Sequence, residues 1–111
     1  MAFESNMEMQ GDIAKITLVG ELDASVAQIL RDRVDEAAGK KAKKLVLLMS
    51  GLDYMSSAGL RTLVFAKQKM GASVAIYLVG AQPHVTEAIK QTGFHHSVTM
   101  LDSYDPAVIE A

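Results

Sequence analysis

Residues 44–64 read KLVLLMSGLDYMSSAGLRTLV, and the order of polarity within them decides the fold. Leu45-Val46-Leu47-Leu48-Met49 is an unbroken apolar run, not an alternation. A strand with one wet face alternates, whereas an unbroken run reads as a strand covered on both faces, as in a parallel α/β sheet. Ser50-Gly51-Leu52-Asp53-Tyr54 reads as a loop. From Ser57 the apolar spacing becomes helical, with Leu60, Leu63, Val64 and Met70 inward and Arg61, Lys67, Gln68 and Lys69 mostly outward. Gly71 is the expected stop.

Downstream, residues 74–79 form a second apolar run and a second buried strand. Gly80 turns the chain, and Pro83 suits the first turn of a helix. Val85, Ala88 and Ile89 give that helix its apolar stripe, and Gly93 stops it. Residues 98–100 are a short last strand, and residues 106–111 make one or two helical turns.

Upstream, Phe3, Ser5, Met7 and Met9 alternate with Glu4, Asn6, Glu8 and Gln10, the pattern of a half-buried edge strand. Gly11-Asp12 signals a turn, and residues 13–18 open a β-branched second strand, so the two form a hairpin. Residues 20–23 break that strand, and Asp23 or Ser25 is placed to cap the next helix. Val26, Ile29, Leu30, Val34 and Ala37 recur at helical spacing opposite Arg31, Asp32, Asp35 and Glu36, and Gly39 is the expected end. Lys40-Lys41-Ala42-Lys43-Lys44 reads as a solvated connection at the negative end of that helix. The resulting order, ββαβαβαβα, predicts an α/β layer with a mixed, mostly parallel sheet and helices packed on it.

The whole is 111 residues, 50% hydrophobic and 22% charged, which fits one packed domain over residues 1–111 and excludes a disordered chain. With no cysteine there is no disulfide, thiolate metal site or cysteine nucleophile, and a reducing cytoplasm is the expected setting. A net charge of −2 leaves no electrostatic footprint for nucleic acid. The apolar run at residues 45–52 falls far short of the roughly 20 residues that span a bilayer, so a soluble protein is expected, and with no obvious apolar surplus a monomer when free.

Catalysis has no visible apparatus. His95 and His96 are adjacent beside a short strand, where neighbouring side chains point to opposite faces and do not share a site. His84 belongs to a solvated first helical turn. No HExxH, EF-hand, GxGxxG or GxxxxGK[ST] spacing occurs, so neither a metal nor a cofactor is expected. Asp32, Asp35 and Glu36 are a polar helix face. Asp23 and Asp53 follow strands, where the functional groups of α/β sheets gather, although a helix cap also explains Asp23 and a turn position explains Asp53.

One segment is unusual for a core: Asp53-Tyr54-Met55-Ser56-Ser57-Ala58-Gly59-Leu60, with two serines between a buried strand and an apolar helix. A serine there can simply be an N-cap. It can also accept phosphate, because the free N–H groups and dipole of a helix start tolerate an anion. Modification would move the net charge from −2 to roughly −4, a switch that needs no catalysis by the domain itself.

The stretch at 44–64 resembles the signature of the STAS domain, as found in bacterial anti-sigma-factor antagonists, and GELDAS at 20–25 resembles the loop after that family's second strand. The resemblance covers essentially the whole chain. It implies a STAS-like fold and a non-enzymatic partner switch. The unmodified domain would bind a serine-protein kinase, the anti-sigma factor or a related regulator. It would be released by phosphorylation and reset by a PP2C-type phosphatase. Setting Gly59-Leu60 against the family's D-S-S-G-L places Ser57 on the phosphorylated serine, Ser56 on the preceding aspartate and Ala58 on the second serine. The implied contact surface is Asp23, Ser25, Tyr54, Met55, Ser56 and Arg61, with Met55 exposed. Two departures stand out: Leu48 occupies the aspartate position of V-L-D-L-S, and Ser56 replaces the other carboxylate and becomes a competing acceptor. Related domains also serve, unphosphorylated, as subunits of membrane lipid- or anion-transport complexes, the alternative function.

Overall fold

The computed structural model describes residues 3–110. Strands β1 (Glu4–Gln10) and β2 (Ile13–Leu22) form the expected antiparallel hairpin. Helix α1 (Ala27–Gly39), strand β3 (Lys44–Met55), helix α2 (Ser57–Met70), strand β4 (Ala75–Val79), helix α3 (Pro83–Gln91), strand β5 (Thr99–Leu101) and helix α4 (Pro106–Ile109) follow. The sheet order is the chain order, β1-β2-β3-β4-β5, and every pairing after the hairpin is parallel. The order read from the sequence is therefore the order found, with one added 3-10 turn at Phe94–His96. Ala111, the end of the expected last helix, lies outside the described residues.

The sheet faces are unequal. Ile16 and Leu18 from β2, Leu45, Leu47 and Met49 from β3 and Ile76 and Leu78 from β4 meet Leu30 and Val34 of α1, Leu63 and Ala66 of α2 and Val85 and Ile89 of α3. The reverse face carries a smaller cluster of Ile13, Val46, Tyr77 and Val79, covered by Ile109 of α4. The Lys44 Nζ donates to the Ile109 carbonyl, and the Tyr104 hydroxyl donates to Glu110 at 2.7 Å, which fixes the C-terminal segment there. Burial of β3 on both sides is what its unbroken apolar run predicted.

Both long strands outrun their expected limits. Residues 20–22 and 50–55 are strand, because Gly20 pairs with Leu52, Glu21 with Tyr54 and Leu22 with Met55. From Thr17/Leu48 to Val19/Gly51, β2 advances two residues and β3 three; from Gly20/Leu52 to Glu21/Tyr54, β2 advances one and β3 two. Each shift is a bulge that puts an extra residue into β3. The second leaves Asp53 and Tyr54 both exposed between buried Leu52 and Met55. That broken alternation, with Gly51 and Asp53 in it, looks like a loop in sequence.

Helix ends differ too. Neither Asp23 nor Ser25 caps α1: the N-cap position is Val26, with no side-chain hydrogen bond. Gly39 is the last helical residue, not the stop. The stop is Lys41, at φ +59°, the one non-glycine residue with positive φ among those described. Its N–H donates to Ala38 O at 3.0 Å, and that of Ala42 donates to Ala37 O at 3.2 Å. These are the two bonds of a Schellman motif, in which glycine ordinarily occupies the left-handed position. Ile29 and Val64, expected inward, are 41% and 37% exposed.

Candidate functional site

The carboxyl ends of β2, β3 and β4 share one edge of the parallel sheet, so the β2–α1 junction lies beside the start of α2. The pairing of Leu22 with Met55 sets this proximity, and the Ser56 N–H donates to Leu22 O at 2.9 Å. Ser56 is the N-cap of α2, and its hydroxyl accepts the Gly59 N–H at 3.2 Å. Ser57 is the first helical residue; its side chain is exposed and makes no hydrogen bond with the described residues. The sequence left both a cap and a free hydroxyl possible for this pair. The structure divides the roles, Ser56 holding the helix and Ser57 facing solvent.

Gly59 is needed here for space. A Cβ on it would stand 2.8 Å from Leu22 Cγ, 3.0 Å from the Leu22 carbonyl oxygen and 3.0 Å from Met55 Cγ. The first turn of α2 therefore rests directly on the end of β2, where only a residue without a side chain fits. One turn on, buried Thr62 returns its hydroxyl to Ala58 O at 3.0 Å, so that hydroxyl is paired under the helix.

Asp23 makes a local turn: its Oδ1 accepts the Ser25 N–H at 2.9 Å and the Ser25 hydroxyl at 2.5 Å. The Ser25 hydroxyl bond, with help from backbone donors of Ser25 and Val26, holds the Asp23 carboxyl below its ordinary value despite some desolvation. This end of the site thus carries a fixed negative charge. Tyr54 is 46% exposed on the bulged end of β3, and Arg61, four residues after Ser57, is exposed on the same helix. Met55 departs from expectation: it is 8% exposed, packed against the position of Gly59, and not available as a contact residue.

Sequence reasoning missed the support behind Asp53. The Gln82 amide donates to Asp53 Oδ1 at 3.1 Å, and His84 Nε2 bonds to the Asp53 carbonyl oxygen. His84 is exposed but tied to the bulge rather than free in solvent. No local signal links residues 82–84 to residue 53; only the parallel register of β3 and β4 brings them together. His95 and His96 also differ from expectation. The 3-10 turn places their rings side by side, centroids 3.9 Å apart, instead of on opposite faces. Desolvation, then the neighbouring His96 and Lys90 charges, pushes His95 below its usual value.

Among the described residues there is no group of three or more His, Asp or Glu side chains placed to hold a metal, and no helix is long and apolar enough to cross a membrane.

Residues 4–107 match the profile of the STAS domain. The chain is 35% identical over 78 residues to BtrV of Bordetella bronchiseptica, named as an anti-sigma factor antagonist; the match takes in 69% of this chain and 67% of that protein. The fold superposes with a TM-score of 0.89 on the crystal structure of an anti-sigma factor antagonist from Mycobacterium paratuberculosis, at 20% identity, covering 99% of this chain and 96% of the other. It superposes with a TM-score of 0.75 on the Bacillus cell fate determinant SpoIIAA in its phosphorylated form, at 21% identity, covering 98% and 97%.

Proposed function

The chain belongs to the STAS domain family, and from that premise we propose that it is an anti-sigma-factor antagonist switched by phosphorylation of Ser57. Its partner is an anti-sigma factor with serine-kinase activity, which binds the unmodified surface formed by Asp23, Ser25, Tyr54, Ser56, Ser57 and Arg61. The observation that carries this reading is the division of labour at the start of α2: Ser56 is engaged as the cap and Ser57 is exposed with a free hydroxyl.

In the switch the kinase transfers a nucleoside triphosphate's γ-phosphoryl group to Ser57 Oγ: the new P–O bond forms as the bond from the γ-phosphorus to the β–γ bridging oxygen breaks, the nucleoside diphosphate leaves, and the serine proton passes to a base of the kinase. The phosphate sits at a helix start, whose N–H groups and dipole favour an anion, so the fold tolerates the charge. The partner does not, because a surface matched to a neutral hydroxyl meets roughly two negative charges beside the fixed charge of Asp23. A PP2C-type phosphatase restores the hydroxyl. The domain supplies an acceptor and a surface, and no catalysis. The relative named as an anti-sigma factor antagonist and the fold neighbour solved in a phosphorylated form support this reading.

The test is affinity capture from the native cell with Ser57→Ala and Ser57→Asp baits, read by mass spectrometry. A serine kinase recovered with Ser57→Ala and lost with Ser57→Asp is the expected result. Identical captured sets would remove Ser57 from the switch.

A further inference from the structure

The far end of the molecule carries a second surface. β3 runs from Lys44 to Met55, so its start lies at the opposite end of the sheet from Ser56 and Ser57. The C-termini of α1 and α2 meet there around an open cavity of about 400 Å³. Exposed Lys41, Lys43 and Lys69 line it together with Ser73, beside buried Ala42 and Val74 and half-buried Met70.

We propose that this cavity binds an anionic ligand with a compact apolar part, a phosphate or carboxylate head carrying a short alkyl or acyl group. Three observations carry it. The first is the lining: exposed lysines and buried apolar residues in one cavity match both halves of such a ligand. The second is the charge in the cavity. Each helix C-terminus contributes about −0.5 charge, and Asp35 stands 3.8 Å from Lys69. Glu36 is instead turned to Arg33 at 3.7 Å. Against these stand the three lysines of the lining, with Lys40 and Lys67 close by in the chain. Asp12, whose carbonyl accepts the Lys43 N–H at 2.7 Å, adds one more carboxylate nearby, so the lysines still outnumber the carboxylates, and the exposed Asp35–Lys69 pair is weak enough to exchange for a stronger anion.

The third observation is backbone strain at the cavity itself. Lys41 holds the left-handed position of the Schellman motif, where glycine would fit without penalty. Lys41 thus presents its side chain at the cavity from a backbone conformation that disfavours one. The ligand's head can come from a free metabolite or from an anionic lipid, and the chemistry of recognition is the same.

The experiment is a titration of the full chain at low ionic strength, about 0.01 M, with hexyl phosphate and with inorganic phosphate, followed by amide chemical shifts. Saturable shifts centred on Ala42, Ser73 and Val74, with hexyl phosphate binding more tightly than inorganic phosphate, are expected. Lys41→Gly should weaken hexyl phosphate roughly tenfold, as loss of one charged contact does, while raising the melting temperature. A merely structural lysine would not give that opposition. Lys43→Gln should weaken binding without changing the melting temperature. Cosedimentation with phosphatidylglycerol vesicles but not phosphatidylcholine vesicles, competed by hexyl phosphate, would assign the head to a lipid. Binding of hexyl phosphate alone would assign it to a soluble ligand. Absence of saturable shifts, shifts spread equally to Lys15 and Lys90, or unchanged binding by Lys41→Gly would overturn the proposal.

Discussion

The backbone N–H of Ser56 donates to the carbonyl of Leu22 at 2.9 Å, joining the last residue of β2 to the cap of α2. The same Leu22 carbonyl lies 3.0 Å from where a Cβ on Gly59 would be, and the Leu22 side chain lies nearer still. The strand end and the helix start thus form one packed unit, and the exposed serine is placed by that unit rather than by a free loop.

Gly59→Ala should therefore destabilise the chain despite the better helix propensity of alanine. The gain of about 1 kcal/mol from propensity is opposed by about 1–3 kcal/mol of overpacking against Leu22 and Met55. Urea denaturation of the variant should show a lower midpoint. An unchanged or raised midpoint would mean that α2 can lift off β2 at little cost.

Ser56→Ala and Ser57→Ala should separate cleanly in stability. Loss of the Ser56 cap should cost about 1 kcal/mol, whereas Ser57→Ala should stay within about 0.5 kcal/mol of wild type. Thermal unfolding of the two variants checks this, and equal losses would contradict the division of roles between the serines.

Leu47→Ala should cost about 2–5 kcal/mol, because this side chain is 1% exposed within the main cluster. Ile76→Ala, 3% exposed on the neighbouring strand, should cost a similar amount. A midpoint unmoved by Leu47→Ala would contradict burial of β3.

Lys41→Gly should stabilise the isolated chain by about 1 kcal/mol, since the left-handed conformation is costly for a residue with a Cβ. Guanidinium denaturation measures it directly. A loss of stability would show that the lysine side chain makes contacts that outweigh the backbone strain.

His95 fixes the direction of one pH effect. Its folded-state value lies below the ordinary 6.5, so the unfolded chain takes up a proton first as pH falls. Its stabilising contribution is fully present above pH 6.5 and is lost as pH drops through the folded-state value. Denaturation midpoints of wild type and His95→Gln, compared at neutral and mildly acidic pH, should show a steeper acid loss in wild type. Parallel curves would remove His95 as the cause.

The sequence made the architecture legible because its periods are clean: alternation in β1, unbroken apolar runs in β3 and β4, helical spacing between them. It also placed Ser57 at a helix start. What it hid depends on contacts distant in sequence. Residues 50–55 have poor strand propensity and a broken alternation, and only pairing with Gly20, Glu21 and Leu22 makes them strand. Met55 looked exposed because it precedes the serines, yet the bulge at Asp53 turns it inward. Propensity puts the end of α1 at Gly39, whereas the hydrogen bonds of the helix end put the left-handed residue at Lys41. The ties from Gln82 and His84 to Asp53 had no local signal at all.

The identity of sheet order and chain order has a consequence for synthesis. As the chain leaves the ribosome, each strand from β2 onward finds its partner already made and adds to the outer edge. No strand has to insert between two others, and no early strand waits for a late one. The intervening helix of each parallel unit is complete before the next strand arrives, so each of these additions closes a single helical crossover. Nascent chains released after α2 should already protect the β1–β2–β3 amides from exchange, with the outer edge of β1 and the growing edge as the two open seams at each stage.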